Sequence, residues 1–172
     1  TPAVIGTIYD ITERKEADEA LQASEERYRM LYEDNPSMYF TLCEGLTVLA
    51  VNKYGAEQLG YEPADLIGEP VLGVVHPGDQ SSVRRQLTAL LKNNGGRQDL
   101  EFRKVRKSGE MLWVKETVRR TVDADGKTIL LVVCEDITER RRTEETLQRL
   151  REDLERKAER VLDKRNPYDL SF

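Results

Sequence analysis

Side chains able to carry covalent or acid–base chemistry are few in these 172 residues: one histidine, His76, and two cysteines, Cys43 and Cys134. A serine-nucleophile triad would need His76, but no Gly-x-Ser-x-Gly motif accompanies it. Structural zinc sites use closely spaced cysteine pairs, whereas these two cysteines lie far apart in the sequence. The sequence therefore predicts a protein that is not an enzyme and binds no metal, with Cys43 and Cys134 as buried free thiols.

Glu116 is a candidate ligand-binding residue. It lies on a predicted strand that starts at Met111, on the same face as apolar side chains that are expected to point to the core, namely Leu112, Val114, Val118 and Val122. A carboxylate on a core face is costly unless it is paired or exposed. Two interpretations follow. Glu116 is a polar group of a ligand pocket, or it pairs with a strand arginine such as Arg103 or is exposed at the sheet edge.

Asn52 and Trp113 are two further residues whose positions suggest a role. The Asn52 amide could hold a ligand, since it both donates and accepts hydrogen bonds. Its alternative role is to satisfy backbone groups where a strand turns into a helix. Trp113 alternates with Lys115 and Thr117, away from the core face. We expect its ring to cover the outer face of the sheet, against a flanking helix or a partner subunit.

The elements that position these residues can be predicted from apolar spacing and turn signals. Strands are expected at 38–43, 47–51, 100–105, 111–122 and 128–134, and helices at 54–59, 63–67 and 79–92. Strands at both ends with helices between them predict an α+β fold. We expect a five-stranded antiparallel sheet with short helices on one face, together with amphipathic helices at the N- and C-terminal ends.

One pentapeptide occurs twice: Asp10-Ile11-Thr12-Glu13-Arg14 returns as Asp136-Ile137-Thr138-Glu139-Arg140. Each copy follows a run that favours β-structure, 4–9 in the first case and 129–134 in the second. Asp followed three residues later by Glu is typical of a helix N-terminus, where the aspartate accepts from a free backbone N–H. The repeat therefore predicts that a strand ends and a helix begins at each copy, at a spacing that matches tandem domains.

The two terminal helices carry apolar residues at spacings of three, four and seven. These residues are Leu21, Tyr28 and Leu31 in the first helix and Leu147, Leu150, Leu154 and Val161 in the last. A narrow apolar stripe of this kind is typical of a two-stranded coiled coil. We expect a homodimer through these helices, with Trp113 also at the interface. The alternative is a single solvated helix that lies against its own domain.

Composition narrows the range of partners and compartments. The net charge of −5 argues against a basic nucleic-acid footprint, and no apolar run approaches the roughly 20 residues of a membrane span. We therefore expect a cytoplasmic protein without direct nucleic-acid or membrane contact. Because the sequence begins at Thr1, without a methionine, we also expect a segment of a longer chain.

An ordered series of short motifs between about Glu25 and Arg140 resembles a known family. The motifs are Asn35-Pro36, Val51-Asn52, Leu59-Gly60-Tyr61, Ile67-Gly68, His76-Pro77 with Asp79, Gly109 with Trp113-Val114, Asp125-Gly126-Lys127 and Asp136 to Arg140. In this order they resemble a PAS domain, also called a sensory box, of a multidomain bacterial signalling protein. The family's antiparallel sheet with short helices agrees with the predicted elements.

The resemblance implies a domain organisation. Residues 1–14 look like the last strand and signature motif of a preceding PAS domain, 15–34 a linker helix, and 35–138 the PAS domain. Residues 139–165 look like a coiled-coil signalling helix, and 166–172 like the start of a linker to an output domain.

The family also implies a function: sensing or protein coupling, with conformational change relayed through the terminal helices to an output domain. The segment 166–172 resembles the lead-in to a helix-turn-helix domain, which favours a transcription regulator. A kinase output would need a phosphoacceptor histidine, and 139–172 contain none. The alternative interpretation is a sensor of a small molecule or cofactor (haem, flavin or a metabolite) in a histidine kinase.

Cofactors of known PAS domains are not predicted here. A flavin adduct needs a cysteine after the short helices, and Gly68 to His76 contain none. Haem-binding members commonly use a histidine on the long helix, and Asp79 to Lys92 contain none. His76 precedes that helix, where a capping or loop hydrogen bond is the alternative to ligation. Asn52 and Glu116 are left as candidate contacts of a non-covalent ligand whose identity, and existence, the sequence does not determine.

Overall fold

The computed structural model describes residues 2–93 and 96–163, with side chains from residue 11 to residue 162. Five helices, two short turns of other helical type and five strands follow one another. The helices are α1 (Pro2–Tyr28), α2 (Lys53–Gln58), α3 (Pro63–Leu66), α4 (Pro77–Lys92) and α5 (Thr138–Asp163). A π-helical turn (Arg29–Glu33) follows α1, and a 3-10 turn (Val71–Val74) precedes α4. The strands are β1 (Met38–Cys43), β2 (Val48–Val51), β3 (Arg97–Val105), β4 (Met111–Val122) and β5 (Thr128–Asp136).

The strands form one antiparallel sheet in the order β2-β1-β5-β4-β3. The last strand lies at the centre, with β1 on one side and β4 on the other. The β3–β4 and β4–β5 hairpins turn through Gly109 and Gly126, whose φ angles of 86° and 78° lie in the left-handed region that glycine adopts without strain. The predicted five-stranded antiparallel α+β fold is confirmed.

The core lies between one face of the sheet and the helices. Alternate residues of β1, β3, β4 and β5 are buried, as the two-residue period of a strand requires. On α4, the buried residues Val83, Leu87 and Leu90 share one helical face and belong to the same apolar cluster as the inner sheet residues. The helices between β2 and β3 thus cover one face of the sheet, and the other face carries half-buried and exposed side chains.

The N-terminal segment differs from the prediction. Residues 4–9 were expected to form a strand, but they belong to α1, which runs through the first copy of the repeated motif without a break. The reason is the lack of a pairing partner, because no described strand lies beside this segment. An unpaired strand would leave its backbone groups without hydrogen bonds, whereas a helix satisfies them within the segment.

Two predictions of burial are also corrected. Val122 shares the parity of the core residues but is 57% exposed, because β4 extends beyond the helices that cover the sheet. Cys43, at the end of β1, is half-buried rather than buried, whereas Cys134 is fully buried in the centre of the sheet.

Among the described residues, no helix is both long enough and apolar enough to cross a membrane.

Candidate functional site

Glu116 lies inside the protein and forms an ion pair with Lys104. The Lys104 Nζ atom lies 2.8 Å from Glu116 Oε1, and the side chains are 0% and 5% exposed. Lys104 reaches its partner diagonally along the sheet, because the residue directly opposite Glu116 is Leu100. This corrects the expected pairing with Arg103, which faces the other side of β3 and binds Asp79 instead.

The surroundings of this ion pair are apolar and partly aromatic. The Lys104 ammonium lies 4.8 Å from the centre of the Phe40 ring and 5.6 Å from that of Phe102. Burial is the largest influence on the pKa of Lys104 and lowers it, but the charge and hydrogen bond of Glu116 together with the neighbouring Cys134 act in the opposite direction, and the net direction is upward. Among the described residues no other group accepts from the ammonium, so at least two of its three N–H donors are unmatched.

Cys134 is the third polar group at this position. It lies directly opposite Glu116 in the β4–β5 ladder and is 0% exposed. Burial raises the pKa of its thiol well above the ordinary value, although the Lys104 charge acts in the opposite direction. Cys134 is therefore a protonated thiol beside a buried salt bridge, in a position where it is not a nucleophile.

Asn52 is fully buried at the corner between β2 and α2, where it caps the helix. Its Oδ1 accepts from the backbone N–H groups of Tyr39 (2.9 Å) and Gly55 (3.0 Å). Its Nδ2 donates to the carbonyls of Tyr32 (2.7 Å) and Ser37 (3.0 Å). These four bonds use the whole capacity of the amide, so in this conformation Asn52 has no hydrogen-bonding position left for a ligand.

The second copy of the repeated motif joins β5 to α5. The Asp136 carboxylate accepts from the N–H of Thr138, the first residue of α5, as the predicted helix start requires. The Ile137 N–H donates to the Trp113 carbonyl at 2.9 Å, and the Trp113 N–H donates to Thr138 Oγ1 at 2.9 Å. Ile137 is 1% exposed. The beginning of α5 is therefore fixed to β4 as well as to β5.

The Trp113 ring lies on the outer face of the sheet, as predicted, and α5 is the flanking helix that contacts it. The Arg141 guanidinium lies 3.9 Å from the ring centre and forms a 2.6 Å salt bridge with Glu101. On the same face of the strand pair, the Arg103 guanidinium lies 5.6 Å from the same ring and binds Asp79. Two arginines from different elements thus share one indole.

Asp79 is the most strongly perturbed carboxyl group of this surface. It accepts from Arg103 three times, from the backbone N–H and from Nε and Nη2 of the guanidinium, at 2.9, 2.8 and 2.7 Å. These hydrogen bonds lower the pKa of Asp79 to about 2. His76, three residues earlier, accepts from the Gly78 N–H through Nδ1, in agreement with the predicted loop or cap hydrogen bond.

Lys104 and Arg141 were not predicted to belong to the site, and Arg103 was predicted only as a partner of Glu116. The burial of Lys104 could have been predicted, because Lys104 lies two and four positions from the core residues Phe102 and Leu100 and therefore on the same face of the strand. Arg141 lies immediately after the repeated motif, yet nothing in the sequence indicates that it contacts Trp113.

The sheet order β2-β1-β5-β4-β3, the helices between β2 and β3 on one face and the helix that continues from the central strand together define an α+β domain. Residues 48–134 match the family model described as PAS fold. The PAS domain of an HTR-like protein from Haloarcula marismortui superposes with a TM-score of 0.64 at 24% identity, over 72% of this chain and 99% of that domain. The chain belongs to the PAS family, and its domain is a PAS sensor domain of the kind found in signal transduction.

Curated relatives are much longer than this chain. The sensor histidine kinase TmoS of Ectopseudomonas mendocina is 26% identical over 78% of this chain and 14% of its own length. The methyl sulfide methyltransferase-associated sensor of Methanosarcina acetivorans is 30% identical over 77% of this chain and 13% of its own length. The chain therefore spans less than a fifth of each of these two relatives, whose names describe sensors.

The buried ion pair leads to a prediction about stability. Lys104→Met leaves the Glu116 carboxylate without its cation, and we expect it to lower the free energy of unfolding by about 3–5 kcal/mol. The double variant Lys104→Met/Glu116→Leu removes both charges and should recover most of this loss, because apolar side chains fill the same space without desolvating a charge. Urea unfolding followed by circular dichroism measures both.

The control is a solvent-exposed ion pair on α5, between Arg151 and Glu155. Arg151→Met should change the free energy of unfolding by less than about 1 kcal/mol. If Lys104→Met behaved like this control, or if the double variant were less stable than the single one, the buried pair would not have the role described.

Proposed function

We propose that this chain is the sensory and dimerisation module of a multidomain signalling protein, and that it relays conformational change to an output domain through α5. The chain itself catalyses no reaction in this proposal. The observation that carries it is the junction at residues 136–138, where α5 continues from the central strand and is hydrogen-bonded to β4. A displacement of these strands cannot leave the start of α5 in place, because the same hydrogen bonds belong to both.

A kinase is the better supported output. The relatives reported above carry the names of a sensor histidine kinase and a sensor, and they give no support for the helix-turn-helix regulator. The residues that suggested that regulator, 166–172, lie outside the described part of the chain. Since 139–172 contain no histidine, the phosphoacceptor would be supplied by another part of a longer protein. The proposed assignment of 1–14 to a preceding PAS domain is supported by the repeated motif and not by a strand, because residues 4–9 lie in α1.

A homodimer through the terminal helices fits the exposed apolar residues. On α5, Leu147, Leu150, Leu154 and Val161 are each more than half exposed, and so are Leu21, Tyr28 and Leu31 near the end of the N-terminal helical segment. Apolar residues at this spacing gain stability when a second helix covers them. The alternative, that α5 lies against its own domain, is not supported beyond its first turn, because these side chains remain exposed in the single chain.

A relay through a two-stranded coil predicts a periodic response to insertions. The chain is joined in register through α5 to the dimerisation helix of a histidine kinase core, and one to seven alanines are inserted after Glu145. Each residue rotates the following stripe by about 100°, and seven restore the face. We expect autophosphorylation to change with one to six added residues and to return at seven. A steady decline with length, or no response, would contradict the proposed relay.

The proposed dimer is tested on the 172-residue chain. Leu147→Glu places a charge in the apolar stripe, and we expect it to weaken dimerisation at least tenfold, because a desolvated charge costs more than about 1.4 kcal/mol. Sedimentation equilibrium measures the dissociation constant of the dimer. Gln148→Glu adds the same charge to the neighbouring residue, which lies off the stripe, and should leave the constant unchanged. An equal effect of both variants, or a monomeric parent chain, would contradict the stripe as the interface.

A second candidate function is recognition of a small polar molecule in the interior. The specific observation is Lys104, whose ammonium is fully buried and has at least two unmatched N–H donors. Neutral acceptor groups suit this position, because Glu116 already balances the positive charge. Asn52, the other expected contact, would have to give up a backbone hydrogen bond to take part. In this alternative the ligand is held between the sheet and α4.

An absorption spectrum and native mass spectrometry of freshly purified chain decide this second function. A bound molecule should add a stoichiometric mass that is lost in Lys104→Met/Glu116→Leu. The same mass in the parent and in this double variant would exclude recognition by the ion pair. A parent chain without added mass or visible absorption, under conditions that keep non-covalent complexes intact, would contradict a co-purifying ligand.

A further inference from the structure

The start of α4 is fastened to β3 through a single residue, Arg103. Asp79, in the first turn of α4, binds both the backbone N–H and the guanidinium of Arg103. The Arg103 carbonyl accepts from the His76 N–H at 2.9 Å, immediately before the helix. The main chain and the side chain of Arg103 are therefore both held by the segment that begins α4, and a shift of that segment moves Arg103.

Arg103 passes this constraint to Trp113. The two residues are direct neighbours in the β3–β4 ladder, and the guanidinium lies 5.6 Å from the centre of the indole. A guanidinium at this distance is attracted by the ring and also limits which positions the ring can occupy. Trp113 is half-buried on the outer face of the sheet, so its ring is held by such side-chain contacts and not by the core.

Arg141 brings α5 to the same ring. Its guanidinium lies 3.9 Å from the ring centre, closer than that of Arg103, and is held by Glu101 at 2.6 Å. Glu101 and Arg103 lie two positions apart on β3, so their side chains share one face of the strand. Glu101 also lies 3.6 Å from Arg140, whereas Arg103 is the cation that binds Asp79. The loss of the Asp79 charge therefore leaves the Arg103 guanidinium beside the indole without its counter-ion.

We propose that Trp113 couples the start of α4 to the first turns of α5, through the contacts Asp79–Arg103–Trp113–Arg141. This inference rests on the proposed function, because it names a second input to the same output helix. It differs from the junction at 136–138, which connects the start of α5 to the sheet, since this path begins at another helix and runs through the side chains of Arg103, Trp113 and Arg141. A cleft of about 110 Å³ borders Asp79, Glu101 and Trp113, so these groups have adjoining space into which they can move.

Hydrogen–deuterium exchange of the 172-residue chain tests the coupling. Asp79→Asn removes the charge that fixes Arg103, and we expect amides at 141–146 in α5 to exchange roughly two- to tenfold faster, although Asp79 does not touch α5. Exchange in β1 should be unchanged. In Trp113→Leu, which lacks the ring, amides of α5 should already exchange faster than in the parent chain. Adding Asp79→Asn to this variant should have no further effect.

Two more variants keep the test independent of folding. Arg103→Lys preserves the positive charge beside Asp79 but removes the planar group that lies over the ring, so it should speed exchange in α5 as Asp79→Asn does. Trp113→Phe retains a ring, and part of the Asp79 effect should survive in it. The matched control is Asp99→Asn. This carboxylate lies on β3, the strand of Arg103, but binds Thr117, Arg97 and Lys115, and its loss should leave exchange in α5 unchanged.

Three results would overturn the coupling. They are an unchanged exchange rate in α5 of Asp79→Asn, an equal acceleration in β1 and α5, and an Asp79 effect that persists undiminished without Trp113. The measurement needs no output domain. Coupling between Asp79 and α5 in a chain whose kinase fusion ignores insertions would support this inference and refute the proposed output. A periodic response of the fusion without that coupling would refute this inference alone.

Discussion

The position of β5 at the centre of the sheet is the constraint on which the rest of the structure depends. Because β5 is the last strand and pairs with both β1 and β4, the sheet is complete only when the chain has returned to its middle. Asp136 is therefore the end of the most enclosed strand, and α5 starts there with no intervening loop. The start of α5 is hydrogen-bonded to β4 and continues from β5, which is itself paired with both β1 and β4.

The ion pair between Lys104 and Glu116 fixes the alignment of two strands more than it stabilises the fold. A buried salt bridge of this kind adds little net stability, because the cost of desolvating two charges offsets their attraction. It does fix geometry, since β3 and β4 must keep the register that brings Nζ and Oε1 to 2.8 Å. The apolar contacts around it supply the stability of the fold, and the ion pair makes one alignment of the two strands preferable to its neighbours.

Much of the fold could be predicted because its signals are local. The two-residue alternation of β4 placed both its ends correctly, and the apolar face of α4 identified the helix that covers the sheet. The strand expected at 4–9 was wrong because β-propensity depends on a neighbouring strand, which a local pattern does not reveal. The Lys104–Glu116 and Trp113–Arg141 contacts join residues that no periodicity relates, so they could be recognised only once the strands were paired. Glu116 was identified as unusual from its parity, but its partner was not.

The length of α5 explains why its first turn matters more than the rest. At about 1.5 Å per residue, a helix of 26 residues extends roughly 39 Å. Arg141 is the residue whose side chain binds the domain most closely, and from Leu147 onward the apolar residues are exposed. A small rotation at the fixed end becomes a displacement of several ångströms at the far end of a rigid rod. A few contacts around Thr138 and Trp113 thus determine the direction of α5. In the proposed dimer, that direction determines which side chains of the two α5 helices contact each other.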